Sequence, residues 1–265
     1  MSAMPSIFVS HGGPNVVIED TPARDFLKSL HARFPETRAI VIVSAHFETD
    51  GPVVVTDPAP EMIYDFGGFP QELYEMVYPA PGEPDLAMRV AHMLNDAGLT
   101  PRIAPKRGFD HGVWNTLILG FPEADIPVVM VSIDPRRDAT YHYKLGQALA
   151  PLREEGVLLI GSGHMTHNLR VVMGHMRRGA ALDPDYPPKV KAFTGWFADR
   201  FAEGDRDAIL AWADKAPYVA ENHPTDEHLM PLFFAYGAAG ENPVAERACD
   251  YMQYGMFAWD SWIFR

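Results

Sequence analysis

Val157-Leu158-Leu159-Ile160-Gly161-Ser162-Gly163-His164-Met165-Thr166-His167-Asn168 sets a short run of branched apolar residues directly against a glycine-bracketed turn carrying two histidines. Such a run reads as a buried strand, and the glycines allow a tight turn and close backbone approach. The arrangement recurs twice. Ile7-Phe8-Val9-Ser10 leads into His11-Gly12-Gly13-Pro14, and the apolar run 39–43 leads through Ser44-Ala45 to His46. A fourth apolar run covers 128–133. Helical periodicity is read at 22–34, 84–97, 141–152, 190–203 and 206–214, so strand and helix alternate and the expected fold class is α/β. The expected architecture is one domain over residues 1–265, with a central mostly parallel or mixed sheet flanked by helices. In open sheets of this kind the ligand crevice lies at the carboxyl ends of the strands. His11, His46 and one of the pair His164 and His167 can therefore converge there, although each alone would read equally well as a histidine satisfied within its turn.

Three other stretches bear on that crevice. Residues 51–81 are rich in proline, aromatic and acidic residues, and with 216–224 they are expected to be long ordered loops near a site. Asn222-His223-Pro224-Thr225-Asp226-Glu227-His228-Leu229 carries a helix-start pattern, with Thr225 suited to the N-cap and two acids in the first turn. That pattern predicts His228 in the first helical turn, where the positive end of the helix keeps imidazole neutral and able to donate a lone pair. Pro231 would then kink or shorten the helix. Arg107-Gly108-Phe109-Asp110-His111-Gly112-Val113-Trp114 reads as a turn-like pocket wall. His92 falls in a periodic helix, and His31, His142 and His175 read as surface or helix-end positions.

The 265 residues are 47% apolar and 22% charged, which suits a folded chain with a sizeable core. A net charge of −13 repels nucleic-acid backbones and anionic membrane surfaces, so neither partner is expected. Cys249 is the only cysteine, which rules out an intrachain disulfide framework and a thiolate-rich zinc site. The first residues lack a targeting pattern and no stretch approaches a membrane span, so a cytoplasmic setting is expected. Phosphate-loop, dinucleotide-binding, H-E-x-x-H and nucleophile-elbow motifs are all missing.

Scattered neutral histidines without cysteine suit zinc, iron, copper or nickel, and three ligands with open positions suit catalytic Fe(II) or Zn(II). Ligand counting does not separate those two metals. Octahedral Fe(II) on three protein ligands would leave two positions for a catecholate and one for dioxygen, with a nearby base needed for a catechol proton.

Taken together and in order, SHGGP around His11, SAHFE around His46, FDHGVW around His111, GSGHMTHNL around His167 and PTDEHLMPL around His228 resemble the class III extradiol ring-cleavage dioxygenases. The similarity is to their LigB-like, single-chain 4,5-DOPA dioxygenase-like branch. Tyr251 to Trp259 is similar to the C-terminal strand of that family. The resemblance implies an α/β fold and one divalent metal ion held by His11, His46 and His228. Fe(II) is expected for activity, with Zn(II) possible after aerobic purification. It further implies that His167 is the acid/base near the metal or a fourth ligand, and that His111 binds substrate. His164 adds a second loop histidine that could face substrate, and Phe47 stands where many relatives carry Trp. The expected partners are a small catecholic aromatic and O2, and the expected product is a ring-opened semialdehyde. A zinc-dependent hydrolase and a metal-free binding module remain as alternatives, and the oligomeric state is open.

Overall fold

The computed structural model describes residues 3–178 and 185–265. Its strands are β1 (Ser6–Ser10), β2 (Ala39–Glu48), β3 (Val53–Val55), β4 (Arg102–Ala104), β5 (Val128–Ile133), β6 (Val157–Gly163), β7 (Ala245–Cys249), β8 (Met252–Gln253), β9 (Phe257–Ala258) and β10 (Ser261–Phe264). Its helices are α1 (Pro22–Lys28), α2 (Leu30–Arg33), α3 (Pro84–Asp96), α4 (His111–Gly120), α5 (Ala139–Leu149), α6 (Leu169–Arg178), α7 (Tyr186–Glu203), α8 (Arg206–Leu210), α9 (Trp212–Lys215), α10 (Val219–Asn222) and α11 (Met230–Ala238). Among the described residues no helix is long and apolar enough to cross a membrane.

Eight strands form one mixed sheet in the order β4-β3-β5-β2-β6-β1-β10-β7. The four apolar runs of the sequence are its parallel centre, β5-β2-β6-β1. β10 pairs antiparallel with β1, and β3 antiparallel with β5, so the sheet changes direction toward both edges. The central strands are buried on both faces, which is why they read as unbroken apolar runs rather than alternating ones. Val41 and Val43 pack with Val129, Leu159, α3, α5, α7 and α11. Ile40 and Ile42 pack on the other side with Ile7, Val9, Ile160, α1 and α4. The carboxyl ends of β1, β2 and β6 lie side by side and present His11, His46 and the His164–His167 loop along one edge.

Several expected elements differ. The helix expected at 22–34 breaks at Ser29, the one at 206–214 breaks at Ala211, and α5 begins two residues earlier and gives way to a 3-10 segment containing Pro151. Thr225 does not cap a helix. α11 starts at Met230, Pro231 occupies its first turn and His228 precedes it in a turn. Proline fits there because a first-turn N–H has no intrahelical partner to lose. The segment around His111 is a helix start rather than a turn, since Asp110 caps α4 by accepting from Val113 N at 3.2 Å. The stretch Tyr251 to Trp259 does not join the eight-stranded sheet. It folds into the β8–β9 ribbon over Tyr254 and Gly255, both in left-handed conformation, and the sheet strand is β10. His142 is buried rather than on the surface, donating from Nδ1 to Asp138 O at 2.8 Å and accepting from Asp134 N at Nε2. His31 and His92 are exposed, and the side chain of His175 lies outside the described residues.

Candidate metal centre

β2 stays in register with β5 to Ser44, then loses it until Glu48 meets Ile133. The bulge places Ala45, His46 and Phe47 on a bend, a device that re-aims a side chain at a strand end. His11 follows β1, and its N–H donates to Gly163 O at 2.9 Å. Its turn is held by Asn115, whose Nδ2 donates to His11 O and Gly13 O. His228 arrives from the far end of the chain and is docked by backbone: His164 N donates to His228 O at 2.8 Å. That approach requires glycine, because a Cβ on Gly163 would lie 2.1 Å from His228 O.

The three rings meet through their Nε2 atoms. His46 Nε2 stands 3.1 Å from His11 Nε2 and 3.3 Å from His228 Nε2. Behind each ring, Nδ1 faces an oxygen. The His11 Nδ1–H donates to Ser162 Oγ at 3.0 Å, whose own hydrogen goes to Gly112 O at 2.5 Å. The His228 Nδ1–H donates to Glu227 Oε1 at 2.8 Å. His46 Nδ1 faces Asp65 Oδ2 at 3.7 Å, within ion-pair range. With the proton on Nδ1, each Nε2 keeps its lone pair. Three lone pairs facing one another, two on buried rings and one on half-buried His46, repel unless a cation lies between them, so the residues present fit a metal ion bound by three imidazoles. Electrostatics agree. Burial, then the neighbouring histidines, holds His11 well below its ordinary value. Burial and His167 do the same to His228, against Glu227, and burial and His111 lower His46, against Asp65. The rings are neutral, as ligands must be.

Around this set stand the other candidates. His111, the first residue of α4, packs 4.0 Å from the His46 ring, centroid to centroid. Its Nδ1 and its backbone N–H both donate to Asp65 Oδ1, at 2.9 and 3.0 Å. His167 stacks on His228 at 3.3 Å and 16°, with Nδ1 3.6 Å from Glu227 Oε1. Burial works to raise both carboxylates, but hydrogen bonds from these histidines prevail and hold Asp65 and Glu227 below the ordinary range. His164 is buried against Phe257 and Trp259, and its Nδ1 has no partner. Its ring is not among the three that meet at Nε2. Arg107 lies 4.0 Å over the Phe47 ring, pairs with Asp110 at 3.0 Å and donates to His46 O.

Asp65 and Glu227 were not singled out as site residues by the sequence. In the sequence Glu227 reads as a helix-start acid, and Asp65 sits in the 51–81 loop expected to lie near a site. The loop is pinned to α4 by a backbone bridge between Met62 and Phe109, which delivers Asp65 to His111 and packs Phe66 against His111 and Trp114. The usable signal was an acid inside an aromatic, glycine-containing loop, Tyr64-Asp65-Phe66-Gly67-Gly68-Phe69.

Three imidazoles that could hold a metal ion on the carboxyl edge of a mixed α/β sheet, with two further histidines beside them, fit one class of protein: a non-haem metal enzyme. Residues 1–263 match the family described as the catalytic LigB subunit of aromatic ring-opening dioxygenase, and the chain belongs to that family. It is an extradiol aromatic ring-opening dioxygenase, an oxidoreductase. Among its relatives, 4,5-DOPA dioxygenase extradiol of Beta vulgaris is 41% identical over 98% of this chain and 96% of that protein. The protein of the same name from Escherichia coli K12 is 39% identical over 91% of this chain and 88% of its own length. The crystal structure of the uncharacterized protein JW3007 from Escherichia coli K12 superposes with a TM-score of 0.79 at 31% identity, covering 98% of this chain and 99% of that one.

Proposed function

We propose that the chain, acting as one domain over residues 1–265 in the cytoplasm, opens a DOPA-like catechol beside its two hydroxyls, with one divalent ion held by His11, His46 and His228 and Fe(II) as the working metal. The observation that carries this reading is the convergence of three Nε2 atoms at 3.1 and 3.3 Å, each ring backed by an oxygen at Nδ1. Bound there, a redox-active ion would supply electron transfer between catecholate and O2, which zinc cannot. His167 is the acid/base. Stacked on His228, it lies within reach of a substrate hydroxyl without joining the three converging nitrogens, and it takes the catechol proton and later returns one. His111 binds substrate from the opposite rim beside His46, while Phe66 and Trp114 close that side with aromatic surface and exclude water. Both oxygen atoms of O2 enter the product, so no external reductant is needed. His164 is assigned to packing, or at most to an outer contact with substrate.

The test is reconstitution with Fe(II) under anaerobic conditions, followed by oxygen uptake on DOPA, caffeate, protocatechuate and simple catechols. A yellow semialdehyde is expected from at least one of them. Full iron loading with no oxygen uptake on any would refute the reading.

A further inference from the structure

Asp65 and Glu227 each serve two imidazoles, and in each case one belongs to the converging three and one does not. Asp65 joins His46 to His111, and Glu227 joins His228 to His167. A carboxylate accepts and cannot donate, so a ring nitrogen hydrogen-bonded to it is an N–H, as for His111 at 2.9 Å and His228 at 2.8 Å, while His46 and His167 stand in ion-pair range at 3.7 and 3.6 Å. Both Asp65 contacts to His111 come from donors, the ring Nδ1–H and the backbone N–H. On the other side, the rings of His167 and His228 are nearly parallel, 16° apart, with both Nδ1 atoms turned to the same oxygen of Glu227. The Nε2 of His228 lies 3.3 Å from that of His46.

We infer that Asp65 and Glu227 are positioning residues that hold four histidines at once in the Nδ1–H tautomer, leaving His46 and His228 able to bind metal and His111 and His167 each with a bare Nε2 at the rim. Resting on the function proposed above, this names what keeps the metal-facing Nε2 atoms of His46 and His228 free of protons. It also makes the aromatic loop around Asp65 part of the centre, because moving that loop withdraws one oxygen from His46 and another from His111.

The experiment is a two-bond proton–nitrogen correlation spectrum of the Zn(II)-loaded protein labelled with 15N-histidine, which reports the protonated nitrogen of each ring. His111 and His167 are expected as Nδ1–H. Asp65→Asn should alter the His46 and His111 signals alone, Glu227→Gln those of His167 and His228 alone, and each should weaken Zn(II) binding about 10- to 100-fold against a competing chelator. A wild-type spectrum with either rim histidine as Nε2–H overturns the inference, as do variants whose patterns match wild type. If a variant does not fold, the wild-type spectrum still decides. A protein that takes up no zinc would refute the three-ligand reading instead, and the tautomers of His111 and His167 would then be read in the metal-free protein.

Discussion

Gly112 offers a sharp test of how tightly the centre is packed, because two effects of replacing it oppose each other. It is the second residue of α4, where Gly→Ala would ordinarily stabilise a helix by about 0.8–1 kcal/mol. Here the added Cβ would lie 2.6 Å from Ser44 Oγ, 3.1 Å from His11 Cε1 and 3.1 Å from His46 Cδ2. Ordinary contact begins near 3.4 Å, so both ligand rings must yield by a few tenths of an ångström and the Ser44 hydroxyl by more. Ser44 cannot move freely, since its hydroxyl donates to Asp110 Oδ1 at 2.6 Å and that carboxylate, buried and paired with Arg107, caps α4. Overpacking of this kind costs about 1–3 kcal/mol against that propensity gain, so Gly112→Ala should destabilise the protein by up to about 2 kcal/mol net. Displacing two of three ligand rings should also weaken metal binding about tenfold or more, comparable to the loss of a supporting contact. Denaturant unfolding of the metal-free protein reads the first effect and chelator competition the second. A Gly112→Ala protein as stable as wild type with unchanged metal affinity would refute the packing argument.

Alanine at His11, His46 or His228 should each strip the metal under mild chelation, checked by metal analysis of the purified variants; retention of stoichiometric metal by all three would exclude this ligand set. His167→Ala should keep its metal and lower turnover by roughly 10²–10⁴-fold, while His164→Ala does much less. Metal loss from His167→Ala would instead make it a fourth ligand, and a reversed pair of effects would put His164 at the site. His142 should make stability depend on pH. Burial lowers it to about 4, below its unfolded value of about 6.5, so its contribution is fully present above pH 6.5 and is lost as pH falls toward 4. Up to about 3 kcal/mol is at stake, and His142→Gln should flatten that part of a stability-against-pH curve measured by denaturant unfolding.

The centre of the fold was readable because β1, β2, β5 and β6 are buried on both faces and so announce themselves as unbroken apolar runs. The flanking strands carry no such mark. β3 and β4 are three residues each, and β7 is a partly exposed edge. β10 was hidden behind Tyr251 to Trp259, whose apolar residues imitate a strand although left-handed Tyr254 and Gly255 reverse the chain there. At the site, strand-end histidines were visible as local patterns. The start of α11 was misplaced because Thr225-Asp226-Glu227 imitates a capped helix, whereas Glu227 turns its carboxylate to His228 and His167. Asp65 could not be read locally at all, since its role depends on a backbone bridge between Met62 and Phe109, 47 positions along the chain.

The most direct test of the account is 18O2 turnover by the Fe(II)-loaded protein with the catechol it consumes fastest, read by mass spectrometry of the ring-opened product. One O2 consumed per ring, both labelled atoms in a product cleaved beside the hydroxyls, and loss of that product in His228→Ala are the predicted results. Product formed without oxygen uptake and without 18O would contradict the account and identify a hydrolase on this scaffold.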